Sequence, residues 1–400
     1  MRILVINQLF PPLISGGAEV ICSRQAEKLS SRGHIVFVLS ADDPNIGLKR
    51  EKKDNLVLFR CGIKNFYLGL HRPQGKIKHL FWHIRDSYNY GMRKYVKQVI
   101  EETNPDIVIC HALVGFSISV WDEIRVHHIP LIQILHDQYL RCPKTNTFKN
   151  DKVCIKPCIE CKLLRLFHKQ ASGKVDAVVG VSNYVLQTHI ANGYFKNSKK
   201  YVIHNAINIP ETKIVNEWDG KRRLKIGYIG QLSHHKGVDL LLNTFLKNQI
   251  NATLLLAGKA NPPEYFVELK KLSEDRTDVE FLGFVNSMEF YKKVDIVVVP
   301  SLWPDTFPTV AFEACANNVP VICSNSGGLP EIIHNGINGL VYDVKDEEGL
   351  EKSLLKIYHN HDLLNIMKHK ARKSVEEMLD EDANIIRYEN VINSLLSQNG

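Results

Sequence analysis

Asp305 and Glu313 stand eight positions apart in the stretch Ser301-Leu302-Trp303-Pro304-Asp305-Thr306-Phe307-Pro308-Thr309-Val310-Ala311-Phe312-Glu313-Ala314, just after the apolar run Ile296–Val299. Such a run reads as a strand buried on both faces, and proline is tolerated in the first turn of the helix that follows it. The N–H groups of Thr309 and Val310 then lack helical partners, and together with the helix dipole they favour a phosphate. Asp305 falls in the loop before the helix and Glu313 on its second turn, so both carboxylates can point at one ligand. A carboxylate accepts two hydroxyls well, which makes a sugar or a ribose the natural partner. Taken alone, a capping Asp and a surface Glu account for the same pattern.

His136-Asp137 offers a second chemistry, sitting just past the apolar run Leu131–Leu135 with Cys142-Pro143 following. A lone histidine is more often structural, but at the carboxyl end of a strand it becomes a candidate ligand contact. His111, after Ile107–Cys110, is similarly placed and less specific. Cys142, Cys154, Cys158 and Cys161 form C-x11-C-x3-C-x2-C, a set that either binds a structural zinc or stays as reduced thiols in a loop. Reduced thiols are the reading adopted. The D-x-D at Asp380-Glu381-Asp382 reads as a solvated helix start rather than a catalytic metal site.

These residues need elements to carry them. Short β-branched runs alternate with segments of helical period, the pattern of parallel α/β structure. The runs are Ile3–Ile6, Ile35–Leu39, Leu56–Phe59, Ile107–Cys110, Leu131–Leu135, Ala177–Val181 and Tyr201–Ile203, then Leu224–Ile229, Thr253–Ala257, Val279–Phe281, Ile296–Val299, Val319–Cys323 and Leu340–Tyr342. Each half opens alike, with a buried strand, a polar turn containing glycine, and a helix. The join falls within Ile209–Arg223, where Pro210, Asp219 and Gly220 accompany a charge run. Two doubly wound, Rossmann-like α/β domains facing across a cleft follow, spanning 1–208 and 209–382, with ligands at the carboxyl ends of their strands. The segment 383–400 is helical in pattern. Neither G-x-G-x-x-G after the first strand nor G-x-x-x-x-G-K-[ST] is present, which argues against an NAD enzyme or a P-loop NTPase.

The stretch around Asp305 resembles the E-x7-E region of retaining glycosyltransferases of family 4, whose fold is GT-B. The resemblance runs over nearly the whole chain. Phe10-Pro11-Pro12 with Gly16-Gly17-Ala18-Glu19 is similar to the family's first loop, and Gly230-Gln231-Leu232-Ser233-His234-His235-Lys236-Gly237 to its G-R-x-x-x-x-K-G turn. Gly283-Phe284-Val285, Gly327-Gly328-Leu329-Pro330-Glu331 and Asn335-Gly336-Ile337-Asn338-Gly339 match as well. The resemblance implies a nucleotide-sugar donor, UDP- or GDP-linked, with no other cofactor and no metal. It implies that Gly16 and Gly17 admit the donor diphosphate and that Lys236 holds the phosphate next to the transferred sugar. Glu313 takes the ribose hydroxyls, and Asp305 with the following segment, Phe307, Pro308, Thr309 and Val310, holds the sugar. Phe284 and Val285 lie beside the base, and His136 contacts the transferred sugar. Gln231 replaces the family's arginine and Asp305 its first glutamate. Those two departures keep open a nucleotide-sugar epimerase of the same fold, or a non-catalytic scaffold at a membrane surface. The final helix is expected to cross back onto the first domain.

Composition narrows the partners. The 400 residues are 44% hydrophobic and 24% charged, ordinary for a globular chain, and carry nine cysteines and a net charge of +8. The first apolar run is too short for a signal-peptide core, so a cytoplasmic location is expected. Between Arg60 and Lys97 lie Arg60, Lys64, Arg72, Lys76, Lys78, Arg85, Arg93, Lys94 and Lys97, against Asp86 as the one acid. Phe66, Tyr67, Leu68, Leu70, Leu80, Phe81, Trp82, Tyr88 and Tyr90 are interleaved with them. This reads either as a solvated helix face over core aromatics or as a surface for anionic lipid or a phosphorylated acceptor. Nucleic acid is not expected, because no basic stripe or binding motif continues elsewhere. The acceptor is expected to be lipid-linked or a saccharide, and peripheral contact with the inner face of the membrane is the expectation that goes with it.

Overall fold

The computed structural model describes residues 1–53, 55–68, 75–149, 152–211 and 215–397, and of Lys76 the backbone alone. The chain forms two compact units. Unit 1 comprises Met1–Thr147, Cys154–Ala206 and the segment from Glu381 onward; unit 2 comprises Phe148–Val153 and Ile207–Asp380.

In unit 1 the strands are β1 (Arg2–Asn7), β2 (Ile35–Asp42), β3 (Leu48–Lys53), β4 (Leu56–Gly62), β5 (Ile107–Cys110), β6 (Leu131–Leu135), β9 (Ala177–Gly180) and β10 (Lys199–Val202). Their order is β10-β9-β6-β5-β1-β2-β4-β3, and every pairing is parallel except β3 with β4. Residues such as Ile107-Val108-Ile109-Cys110 are buried throughout, as a strand covered on both faces must be. Strand β3, Leu48-Lys49-Arg50-Glu51-Lys52-Lys53, was not anticipated, because it is a charged and almost wholly exposed edge that carries no apolar alternation. The helices are α1 (Gly17–Ser31), α2 (Lys76–Ser87), α3 (Tyr90–Thr103), α4 (Ser119–Val126), α5 (Ile159–Leu164), α6 (His168–Ala171) and α7 (Asn183–Ala191). Between α4 and α5, β7 (Phe148–Lys149) and β8 (Lys152–Val153) pair antiparallel.

Unit 2 is a second parallel sheet of β11 (Leu224–Ile229), β12 (Ala252–Ala257), β13 (Val279–Gly283), β14 (Ile296–Val299), β15 (Val321–Ser324) and β16 (Gly339–Tyr342), in the order β13-β12-β11-β14-β15-β16. Its helices are α8 (Val238–Lys247), α9 (Glu264–Leu272), α10 (Ser287–Tyr291), α11 (Thr309–Ala316), α12 (Gly349–Tyr358) and α13 (His361–Ser374). Leu224, Ile226, Leu254, Leu256, Ile296 and Val298 form the centre of a core closed by Trp218, Phe245 and Met367.

Both sheets are doubly wound. Strand order reverses between β1 and β5 in unit 1 and between β11 and β14 in unit 2. The loops at the carboxyl ends of those strands are where such sheets hold ligands.

The last helix, α14 (Glu381–Leu396), packs on α1 within unit 1. Glu381 pairs with Arg24 (2.7 Å), Asp382 with Lys28 (2.9 Å) and Glu389 with Arg32 (2.8 Å). Two of the three D-x-D residues therefore serve as helix-to-helix anchors. The unit boundaries depart slightly from the expected 208 and 383. Ile207 already bonds through its N–H to the carbonyl of Met378 (2.9 Å), which ties it into unit 2.

Candidate active site

In unit 2, β11 ends at Ile229 and the chain turns through the short helical turn His234–Lys236 to Gly237. Gly237 has φ +71, and a Cβ there would lie 2.1 Å from the Pro300 carbonyl oxygen. Only glycine lets this turn close onto the end of β14. The His235 carbonyl accepts the N–H groups of Leu302 (3.0 Å) and Trp303 (3.2 Å), which fastens the two loops together. A third loop joins them, since Gly328 donates its N–H to the Asp305 carbonyl (2.8 Å).

These closures bring Lys236 and Asp305, 69 positions apart, into a direct ion pair. The Lys236 ammonium also lies over the Trp303 ring, 5.0 Å from its centroid. Beside it His235 is held neutral, its pKa lowered to about 4 by burial and then by the Lys236 charge. Burial, reinforced by Asp305, pushes the Tyr228 phenol up.

Helix α11 begins at Thr309 with Pro308 as its N-cap and no side-chain cap bond. Thr309 and Val310 are partly exposed, and Glu313 is half-buried on the second turn. The buried Tyr291 hydroxyl is shared between Glu313 Oε2 (3.4 Å) and the Val310 carbonyl (3.3 Å), so α10 steadies the glutamate. Phe307 is turned inward against Phe312, with centroids 6.0 Å apart, which leaves its main chain rather than its ring on the loop. Pro308 is buried too. Gln231 is exposed on the glycine turn. Phe284, at the end of β13, is 82% exposed with the Lys259 ammonium 5.7 Å from its ring centroid, and Val285 is half-buried beside it.

In unit 1, Gly16 caps α1 in an extended conformation, and its N–H donates to Glu19 Oε2 (2.8 Å). A Cβ on Gly16 would meet nothing closer than 3.8 Å, so the chain itself does not require glycine there. Gly17 opens the helix and is exposed. His111 and His136 leave the ends of β5 and β6, stacked with centroids 5.1 Å apart. His111 Nδ1 is 2.9 Å from His136 Nε2, and His111 Nε2 is 2.8 Å from Gln25 Oε1. Burial lowers the pKa of both histidines, His136 to about 4. Asp137 moves the other way, raised to about 6 by burial, and lines the same small cavity. Gln25, Trp303 and Tyr291 are parts of these clusters that sequence reading missed. Gln25 and Tyr291 lie in no recognisable motif, and Trp303 sits in the quoted stretch two residues before Asp305.

The remaining candidates sort differently. Cys158 and Cys161 bring their sulfurs to 3.6 Å, and all nine cysteines are free thiols. Among the described residues, no group of three or more His, Cys, Asp or Glu is arranged to hold a metal ion. Within the basic stretch, Arg60 is buried and donates to the carbonyls of Phe10 (3.2 Å) and Pro11 (2.5 Å). Arg93 pairs with Glu123 (2.9 Å), and Tyr67 and Trp82 are core. Asp86 is fully buried. Leu70 and Arg72 lie outside the described residues. No described helix is long and apolar enough to cross a membrane.

Two doubly wound units, with polar side chains gathered at the switch point of each, define the GT-B class. A family model described as glycosyltransferase family 4 matches residues 15–210, and one described as glycosyl transferases group 1 matches 209–374. An uncharacterized glycosyltransferase of Methanocaldococcus jannaschii is 32% identical over 282 residues, covering 69% of this chain and 72% of that protein. An uncharacterized 42.6 kDa protein in the cps region of Klebsiella pneumoniae is 31% identical over 337 residues, covering 83% and 87%. Among solved structures, Anabaena HepE in complex with UDP and glucose superposes with a TM-score of 0.71 at 17% identity, over 99% of this chain and 100% of that one. The chain belongs to the family 4, group 1 glycosyltransferases.

Proposed function

We propose that the protein transfers a sugar from a UDP- or GDP-linked donor to a hydroxyl of a lipid-linked or saccharide acceptor, with retention of configuration and without a divalent metal. The observation that carries this reading is the convergence of Lys236 and Asp305 with the open start of α11 at the switch point of unit 2. A cation, a carboxylate and helix N–H groups gathered at strand ends suit a diphosphate joined to a polyhydroxylated sugar. The HepE complex with UDP and glucose supports the same donor class.

In this reading the bond from the anomeric carbon to the phosphate oxygen breaks, and a bond to the acceptor oxygen forms on the same face. The departing phosphate oxygen takes the acceptor proton. Lys236 and the N–H groups at Thr309 and Val310 stabilise the charge that grows on the diphosphate. Glu313, steadied by Tyr291, binds the ribose hydroxyls, and Phe284 and Val285 flank the base. Asp305 holds sugar hydroxyls while it orients Lys236. With the Gln25 amide oxygen accepting from His111 Nε2, His111 Nδ1 accepts from His136 Nε2, and Nδ1 becomes the accepting nitrogen of His136. Both imidazoles are neutral in this arrangement, and His136 is the histidine that contacts the transferred sugar. The space around Gly16 is open, so the donor diphosphate can approach its main chain closely. Unit 1 also meets anionic lipid through the surface between Arg60 and Lys97, which brings the enzyme to its acceptor.

Calorimetry with free UDP and GDP tests the ribose role, since Glu313→Gln weakens binding of the nucleotide itself. Unchanged affinity removes Glu313 from the donor site. Incubation with UDP- and GDP-sugars, with and without acceptor, tests the reaction; acceptor-free epimerisation or no turnover refutes transfer.

A further inference from the structure

Helices α2 and α5 pack against each other in unit 1, and both present their apolar stripe to solvent. In α2, Ile77, Leu80, Phe81 and Ile84 fall at i, i+3, i+4 and i+7, the spacing by which a helix ordinarily faces a core. All four are between 50% and 73% exposed. The side that faces the protein instead carries Trp82, His83 and Asp86, all buried. Asp86 is fixed there by Arg165 (3.2 Å), the Tyr139 hydroxyl (3.0 Å) and the Gly115 N–H (2.6 Å). That network decides which way the helix is turned.

The α5 segment repeats the arrangement. Ile159, Leu163, Leu166 and Phe167 lie at i, i+4, i+7 and i+8 and are 63% to 77% exposed, while Cys161, Leu164, Arg165 and His168 are buried. Six large apolar side chains on two touching helices, joined by Leu166 and Phe167 on the turn that follows α5, form a patch of the kind that marks an interaction surface. Lys78 and Arg85 on α2, Lys162 on α5 and Lys169 on the adjoining α6 are exposed. Of the acids there, Asp86 is inside and Glu160 only partly exposed.

We propose that this paired-helix face is a membrane-docking platform, which lays its apolar stripes into the acyl boundary of an anionic bilayer while the lysines and Arg85 meet the headgroups. An apolar stripe flanked by cations is what an interfacial helix requires. A two-fold contact with a second copy fits less well, because it would set the same cations against themselves. The platform deepens the membrane contact proposed above and changes its character. Half of it comes from α5 and the turn after it, outside the basic stretch, and its apolar part does not screen with salt.

Sedimentation of the full chain with vesicles tests it, using phosphatidylcholine alone and phosphatidylcholine mixed with phosphatidylglycerol. The wild type is expected to pellet with the mixed vesicles and to keep part of that binding in high salt. Ile77→Ser with Phe81→Ser, and separately Leu163→Ser with Phe167→Ser, should each weaken binding on the order of tenfold or more. Both pairs should unfold at the wild-type temperature, since the side chains are already exposed. Lys78→Glu with Lys162→Glu should remove the preference for anionic lipid. Wild-type binding by either serine pair overturns the proposal. So does a wild-type dimer that the serine pairs dissociate while vesicle binding is absent. The experiment reads binding alone, so its failure leaves the transfer reaction standing.

Discussion

Replacing Lys236 by methionine removes a charge that the fold holds from several directions. Its loop is fixed by Gly237 against Pro300, and its ammonium is paired with Asp305 and set over Trp303. Opposite unit charges ~4 Å apart attract by about 4 kcal/mol at the effective dielectric near a protein surface. Only the part of that attraction that grows between bound donor and transition state changes turnover. If the leaving oxygen gains between half and all of a unit charge, the increment is about 2–4 kcal/mol, or roughly 30- to 1000-fold in rate. Asp305 already offsets some of the lysine's field, which favours the lower part of that range. Donor at saturation and a measured rate of nucleotide release separate turnover from binding. Gln231→Ala should cost clearly less, because that side chain is exposed and uncharged. EDTA should have little effect. Lys236→Met also strands the Asp305 carboxylate, so Lys236→Met with Asp305→Asn should recover thermal stability without recovering turnover. Near-normal turnover in Lys236→Met, a loss confined to donor KM, or abolition by EDTA refutes this account of the leaving group.

Two further outcomes follow from groups around the sites. His111, His168 and His189 are buried, with pKa values pushed down by desolvation, that of His189 to about 4. The unfolded chain protonates these side chains below the ordinary value of 6.5 while the folded one does not, so stability is complete above 6.5 and is lost as pH falls toward 4. His189 alone costs about 2 kcal/mol at about pH 5, and His111 and His168 act in the same direction, so the urea midpoint should fall from neutral pH; a flat profile excludes neutral burial. Gly16→Ala should cost only the small difference between a glycine and an alanine N-cap yet weaken donor binding, whereas Gly237→Ala should destabilise the fold far more, with its Cβ 2.1 Å from a carbonyl oxygen. Equal stability of the two variants would contradict the assignment of one glycine to a ligand and the other to the chain.

Much of the architecture was legible because parallel strands buried on both faces are written as unbroken β-branched runs, Ile296-Val297-Val298-Val299 being the plainest. The motif residues were legible too, since Asp305, Glu313 and the glycine turn are local in sequence. What joins them is not local. Lys236 meets Asp305 because β11 and β14 are neighbours in the sheet, and strand order is decided by packing that no single segment encodes. Tyr291 steadies Glu313 from another helix, and Gln25 reaches His111 across 86 positions. The stripe of α2 shows the same limit in reverse. Ile77, Leu80, Phe81 and Ile84 have the spacing of a core face, yet the buried side is chosen by Asp86, which needs Arg165, Tyr139 and Gly115 around it. Burying a carboxylate with its partners fixes the rotation of the helix, and the apolar face is left outward. Periodicity identifies an amphipathic helix; the polar contacts decide which side of it meets the protein.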